Sequence, residues 1–461
     1  MAKKNLVCQL AIVGAGSAGC AAAFAAVRFG LQVILVEQYD RIGGMATFGG
    51  VNCWEPVAGA TGIPQRLFNK MKDQSPGKIG IYRISRHCLL SSGDPEPYPG
   101  GEQRIDPSAR YGDTLRSYAE MEIRESLKLR RGIIFEPELF CRTVEDALKD
   151  SGCCQILSGA EVVSADCRNG MLRCLELKDG TGLKAELWID CCGFVSALCG
   201  CRMLFGREAA SQFGEPDAPL LPSPELNGVS RIFRISPTGT GSVERLPAGI
   251  PEKCWWAPHF PVMVATEYPN GDFNCNMLPT MNGLDFYRLG TAAALNETER
   301  RVRSYWHYLQ TAYPEFRYFY LKELFPRLGC RDGYRVLCRR MLTESCITGG
   351  LNQQNQDEII ALCDHSPDFH GTAKKVERRA ALYGVPYGAL IPVGMKNLLT
   401  AGRCAGFTAL AASSCRLSRT MMSLGEAAAN AAYLSFTQKK HFPEISPGAV
   451  RELLCSGGVR L

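Results

Sequence analysis

A glycine-spaced turn near the front of the chain constrains its fold more than any other feature. An apolar run, Leu10-Ala-Ile-Val13, leads straight into Gly14-Ala-Gly16-Ser17-Ala18-Gly19 and on into the alanine-rich segment Cys20 to Phe29. A strand entering a helix through glycines at this spacing predicts a β-α-β unit. Gly14 permits the tight turn, Gly16 lets the backbone approach a diphosphate, and Gly19 lets the helix pack against the strand. The helix N-terminus, with Ser17 and Ala18, then faces the negative charge. A second apolar strand, Gln32-Val-Ile-Leu-Val36, ends at Glu37, 18 residues beyond Gly19 and followed by Gln38. A carboxylate there accepts hydrogen bonds from an adenosine ribose. On these residues alone FAD and NAD fit equally, because both offer the same ribose hydroxyls.

The segment after Glu37 separates the two. Gly43-Gly44-Met45-Ala46-Thr47 and then Phe48-Gly49-Gly50 follow within a few residues, a loop not expected in a fold that binds only NAD. Together with the front unit it resembles the glutathione-reductase-like class of FAD proteins, in which a second glycine pair lies against the diphosphate and leads the chain towards the flavin. Within that class the chain is most similar to the FAD-dependent oxidoreductases that carry GGMAT after the ribose acid. The resemblance implies FAD as cofactor, an oxidoreductase activity, and cofactor contacts from Gly43, Gly44, Met45, Ala46 and Thr47.

The likeness continues further along. Leu187-Trp-Ile-Asp190-Cys-Cys-Gly193 is similar to the class's second dinucleotide-contacting strand, although ATG is more usual there than CCG. That implies a contact at Gly193 and backbone groups of Val162 or Val163 for the adenine; an ordinary hairpin with a buried valine explains those two equally well. Near the C-terminus, Asn397-Leu-Leu-Thr-Ala-Gly402-Arg403 reads as a short strand ending in a glycine turn, and the resemblance makes Gly402 and Arg403 cofactor contacts. Ser414-Cys-Arg416 to Gly425-Glu-Ala-Ala-Ala429 reads as a loop feeding a helix whose amides face the flavin pyrimidine, which adds Arg416 and Gly425. The alternative for Arg403 and Arg416 is a structural arginine.

Residues 154 to 193 alternate as short strands about the turns Asn169-Gly170 and Asp179-Gly180-Thr-Gly182, which predicts a three-stranded β-meander. The expected fold class is therefore α/β, with a discontinuous Rossmann-type FAD-binding domain that includes the meander, plus an inserted α+β substrate domain. Residues 1–55, 135–205 and 380–437 compose the FAD-binding domain in this reading, 56–134 and 206–379 a substrate or cap region, and 438–461 a C-terminal tail. With 461 residues, 46% of them hydrophobic, the chain can bury cores of that size.

Charge and cysteine usage narrow the function classes. The 52 basic and 46 acidic residues give a net charge of +6 but are interspersed, and no basic patch is interleaved with aromatics. No nucleic-acid partner is expected. No stretch offers about 18 uninterrupted apolar residues, so no membrane partner is expected either. Lys3 and Lys4 precede glycines at a functional spacing and not a cleavage pattern, and a cytoplasmic location is expected. The 22 cysteines include no CxxC pair, which removes the iron–sulfur spacings, and no metal is expected. Most read as small buried hydrophobes of a protein from a reducing compartment. Disulfide reductases of the resembling class carry cysteines two and seven residues after the second glycine pair, where Ala46 and Val51 stand; Cys53 lies nearby alone. The signatures of aromatic hydroxylases and halogenases are not matched by Asp190-Cys-Cys-Gly193 or Trp255-Trp256-Ala-Pro258.

Chemistry beyond the cofactor rests on the stretch from Gly329 to His370. Members of the resembling group show RESRR followed by an aspartate and a histidine, and this chain has Arg331-Asp-Gly-Tyr-Arg335, Asp364-His365 and Asp368-Phe-His370. Arginines bind a carboxylate or polarise a carbonyl, and a histidine accepts a proton as hydride leaves a C–H bond. The candidate catalytic residues are His370, then His365, with Arg331 and Arg335, although a lone histidine is more often structural. Replacement of Glu-Ser-Arg by Asp-Gly-Tyr points to a divergent substrate. The expected reaction is hydride transfer between a small polar organic molecule and FAD, with oxygen or an unidentified carrier as electron acceptor. A flavin-based redox sensor or structural FAD protein, and less so an RNA-modifying flavoprotein, are the alternatives. Oligomeric state is not legible in the sequence.

Overall fold

A computed structural model describes residues 5–83, 86–89, 105–116, 131–256, 262–371 and 380–461. β1 (Asn5–Val13) runs into α1 (Ser17–Val27), and the chain returns as β2 (Val33–Val36) parallel to β1, with Leu10 to Val13 opposite Val33 to Val36. Nearly every residue of α1 is small or apolar and buried, as a helix enclosed on both sides must be. One side rests on the sheet and the other on α2 (Ser418–Gln438), itself buried for most of its length. The two helices cross closely because Gly425 has no side chain: a Cβ there would lie 2.0 Å from the Ala18 carbonyl oxygen.

The sheet extends from β1 in both directions. β3 (Cys154–Leu157) pairs in parallel with β2. β4 (Val162–Arg168), β5 (Met171–Leu177) and β6 (Gly182–Asp190) pair antiparallel in succession, turning at Asn169-Gly170 and near Gly180. β6 lies parallel to β1 from Asn5 opposite Gly182 to Val13 opposite Asp190. Its far edge is shared: Gly182 to Lys184 pair with β5, while Trp188 to Asp190 pair in parallel with Leu398–Thr400, brought from far along the chain. Val13, Val36, Asp190 and Thr400 therefore end at one edge of a parallel sheet, where α/β folds gather ligands.

A five-stranded antiparallel sheet faces that edge, built from Arg86–Leu89, Val262–Glu267, Phe273–Leu278, Phe233–Pro237 and Phe319–Leu324. Side chains alternate across it as strand geometry requires. Met263, Ala265, Cys275 and Met277 pack with Val302, Tyr305, Trp306 and Leu309 of the helix Thr291–Ala312. Val264, Thr266, Asn274 and Asn276 face the other way, into a cavity. No helix among the described residues is long and apolar enough to cross a membrane, and no group of three or more His, Cys, Asp or Glu among them could hold a metal ion.

Candidate active site

A cavity of about 1110 Å³ runs from the glycine turn to the five-stranded sheet. At the glycine end its wall includes Gly14, Gly16, Ser17, Ala18, Glu37, Gln38, Gly44, Met45 and Val162. The Gly14 N–H donates to the Val36 carbonyl at 2.8 Å. Glu37 closes the turn from the other side, its Oε2 accepting the Ala15 N–H at 2.8 Å and its Oε1 the Tyr39 N–H at 3.2 Å. Burial raises the Glu37 carboxyl above its ordinary range, opposed by those two amides.

The glycines divide into two kinds. At Gly19 a Cβ would sit 1.9 Å from the Gly14 carbonyl oxygen, so α1 meets the turn only through a glycine. At Gly16 a Cβ would meet no protein atom within 4 Å, yet Gly16 belongs to the cavity wall. The second pair lies against it: a Cβ on Gly44 would be 2.9 Å from Gly16 Cα, and the Gly43 N–H donates to the Ala15 carbonyl at 2.7 Å. Two stretches of bare backbone meeting at a helix N-terminus, with a fixed carboxylate beyond, fit the diphosphate and ribose of FAD.

Several expected contacts stand behind this wall. Gly19, Gly43, Ala46 and Thr47 shape it from the protein side; the Thr47 hydroxyl donates to the Ile42 carbonyl at 2.9 Å. Gly193 packs on Cys404, where a Cβ would be 3.0 Å from Cys404 Cβ. Gly425 lies at the α1–α2 crossing and does not reach the cavity; what α2 brings there is its first turn, with Ser418, Arg419 and Met421. Val162 lines the wall, whereas Val163 is 43% exposed. A residue to which sequence reasoning gave no role organises this region. Asp190 is fully buried and accepts the N–H groups of Cys192 at 3.0 Å, Gly193 at 2.8 Å and Ser196 at 2.7 Å, and the Ser196 hydroxyl at 2.7 Å. An acid at a strand end before Cys-Cys-Gly and a serine was its only sequence signal.

At the other end, Gly402, Arg403, Arg416, Arg331, His365, Asp368 and His370 line the same cavity. His370 Nε2 lies 2.7 Å from Asp368 Oδ2, and the Arg416 guanidinium contacts that same oxygen. Arg416 Nε also donates to the Ser413 carbonyl at 2.9 Å. Arg331 Nη1 donates to the Gly228 carbonyl at 2.7 Å and the Ser230 hydroxyl at 3.0 Å, and Arg403 donates to the Cys330 carbonyl. His365 is held by its backbone, whose carbonyl accepts the Ser414 hydroxyl; its Nδ1 is buried without a partner among the described residues, and burial and then Arg416 keep its pKa low. Arg335 is the exception. It is fully buried away from the cavity wall, with Nη2 donating to Glu208 Oε1 and the Gly206 carbonyl, both at 2.7 Å. Arg331 stands in irregular chain and Arg335 opens the short strand Arg335–Val336, which pairs with Met203 and Leu204, so a spacing of four does not put them on one face.

Five cysteines, Cys53, Cys191, Cys192, Cys330 and Cys404, also line the cavity. Burial pushes the Cys53, Cys191, Cys330 and Cys404 thiols up, Cys53 and Cys404 to about 12, whereas Cys192 is exposed. The four raised thiols are protonated at neutral pH and poor nucleophiles.

Among solved structures, the chain is similar to a geranylgeranyl bacteriochlorophyll reductase-like protein from Thermoplasma acidophilum, at 11% identity over 99% of this chain and 84% of that one with a TM-score of 0.46. It is also similar to a probable FAD-dependent monooxygenase from Pseudomonas aeruginosa, at 12% identity over 98% and 92% with a TM-score of 0.42. L-proline dehydrogenase from P. horikoshii gives 9% identity over 98% and 99% with a TM-score of 0.42. Scores this low say nothing of the chemistry. No curated protein matches the chain. The model of the FAD-dependent oxidoreductases, in contrast, matches residues 9–454, nearly the whole sequence, and with FAD as its cofactor the chain belongs to the FAD-dependent oxidoreductase family.

Proposed function

We propose that the protein exchanges a hydride between a small polar organic substrate and FAD, and that His370 moves the accompanying proton. The observation that carries this reading is the line His370, Asp368, Arg416 opening into the cavity that the bare-glycine wall also lines. When bound, FAD supplies the hydride-accepting and hydride-donating chemistry. The glycine wall, Glu37, Val162, Gly402 and Arg403 are assigned to holding it, on a domain formed by residues 1–55, 135–205 and 380–437.

Burial, and after it the charge of Arg331, pushes His370 down to about 4, so its ring is neutral at neutral pH. Asp368 is ionised: burial opposes this, but the hydrogen bond from His370 and the charge of Arg416 outweigh it and hold the carboxyl well below the usual carboxylate range. An ionised carboxylate beside Nε2 keeps the ring proton there and leaves the lone pair on Nδ1. Nδ1 takes the O–H or N–H proton of a substrate as the C–H hydride departs, and returns it in the reverse direction. Asp368 is a positioning residue, and Arg416 fixes Asp368.

Rapid-mixing kinetics of flavin bleaching under anaerobic conditions test it. A C–H-deuterated substrate is expected to bleach more slowly than the protiated one, and His370→Gln to slow bleaching by roughly 10²–10⁴-fold. Equal rates for the two isotopes would remove hydride transfer from the rate-limiting chemistry, and an unchanged rate in His370→Gln would remove the proton role.

A further inference from the structure

Around His370 the cavity carries more positive charge than the protein neutralises. Arg331 is 8% exposed, yet both partners of its Nη1 are neutral, and it forms no ion pair among the described residues. The nearest candidates are engaged elsewhere. Asp368 is bound by Arg416 and His370. Asp332, next in the chain, accepts the backbone and side-chain N–H groups of Asn227 at 3.1–3.2 Å. Among the described residues Arg403 likewise donates only to a carbonyl. A buried guanidinium in direct contact with no carboxylate is incompletely compensated, even with Asp368 and Asp332 nearby, and a ligand anion would supply the missing partner. Burial accordingly lowers Arg331 to about 10.

A second unsatisfied group lines the same cavity. The side-chain oxygen of Asn276, on the strand Phe273–Leu278, is buried without a hydrogen-bond partner among the described residues. It has the chemistry to accept an O–H or N–H from a ligand. Ile232 and Ser230, which line the cavity with it, lead to the hydroxyl that holds Arg331.

We propose that the substrate is a small hydroxy- or amino-carboxylate whose anionic end pairs with Arg331 and whose donor group faces Asn276. This rests on the reading of the cavity as a substrate site. It concerns binding alone, and a charge-assisted pair of this kind favours the anion over an uncharged isostere by roughly tenfold or more.

The test uses the FAD-loaded full-length protein under anaerobic conditions. The probes are lactate and its longer-chain homologues, each beside its uncharged amide, and alanine and its homologues, each beside the amide that keeps the ammonium but lacks the carboxylate. Shifts in the visible flavin band report binding, and bleaching of the band reports reduction separately. Carboxylates are expected to shift the band at roughly tenfold or lower concentration than their amides. Arg331→Gln is expected to abolish that preference by weakening the carboxylates far more than the amides, and Arg331→Lys to restore part of it. Equal binding of acids and amides by the wild-type protein, or no band shift from any carboxylate, would overturn the proposal without recourse to a variant. A preference that survives in a folded, FAD-loaded Arg331→Gln would also overturn it. Band shifts without bleaching would retain anion binding and fail hydride transfer; bleaching by acids and amides alike would do the reverse.

Discussion

Replacing either of two glycines three residues apart separates cofactor binding from folding. In Gly16→Ala the new methyl meets no protein atom within 4 Å, and the backbone there, at φ −74° and ψ −168°, is one any residue adopts. The apoprotein should lose nothing and gain up to about 0.4–1 kcal/mol, because the unfolded chain has fewer conformations. FAD, in contrast, must share its approach with a methyl group. An inserted methyl in a packed contact costs about 1–3 kcal/mol, or roughly ten- to a hundredfold in affinity. Gly19→Ala reverses the pattern: its methyl would lie 1.9 Å from the Gly14 carbonyl oxygen, within a buried helix, so turn and helix must separate. That costs the fold about 1–3 kcal/mol with or without cofactor. The assay is thermal unfolding of the cofactor-free proteins beside equilibrium FAD binding followed by flavin fluorescence. Gly16→Ala is expected to match or exceed the wild-type melting temperature while binding FAD weakly, and Gly19→Ala to melt lower. Wild-type FAD affinity in Gly16→Ala would refute the placement of the diphosphate.

Other outcomes follow from the same geometry. The positive charge of Arg331 depresses His370, so Arg331→Gln should move the acid limb of kcat/KM upward from about 4; a limb that stays or falls contradicts the coupling. Asp368→Asn removes the charge that keeps the proton on His370 Nε2, and flavin bleaching should slow by roughly 10²–10⁴-fold with FAD content unchanged. Arg335→Ala leaves the Glu208 carboxylate buried without its partner, so denaturant titration should show about 3–5 kcal/mol lost while the bleaching rate of the remaining folded enzyme is retained. Burial raises Glu426 from 4.5 to about 7, so its contribution is favourable below the unfolded-state value and is lost as pH rises through about 7. Glu426→Gln, which keeps an acceptor for the Ile63 N–H, should therefore flatten the fall in stability across that window, a fall of up to about 3 kcal/mol.

The parts of the fold legible in the sequence are those decided by local physics. A strand, a turn whose backbone must stay bare and a helix that must pack closely leave glycines at fixed spacing, and Gly14, Gly16 and Gly19 stand where that spacing requires. Gly44 was readable for the same reason, because its bareness answers the approach of Gly16. Tertiary partners were not. Nothing adjacent to Arg335 signals that Glu208 will meet it, and nothing near Gly425 says that its neighbour is Ala18 of α1 and not the cavity. Asp190 escaped notice because its three amide partners are defined only once the chain turns around it. Asn274 and Asn276 alternate with buried residues, but which face of that strand meets a cavity depends on the helix covering the other one. His370 was visible as a histidine after an aspartate, whereas its link to Arg416, 46 residues later, needed the structure.

The most direct test of hydride exchange with FAD is the visible spectrum of the FAD-loaded protein while small hydroxy acids, amino acids, amines and sugars are added without oxygen. Bleaching of the oxidised flavin band by one of them, with the band returning when air is admitted or a carrier is added, is the expected result. A protein that cannot be loaded with FAD, or a loaded flavin that none of these compounds bleaches, would contradict the account.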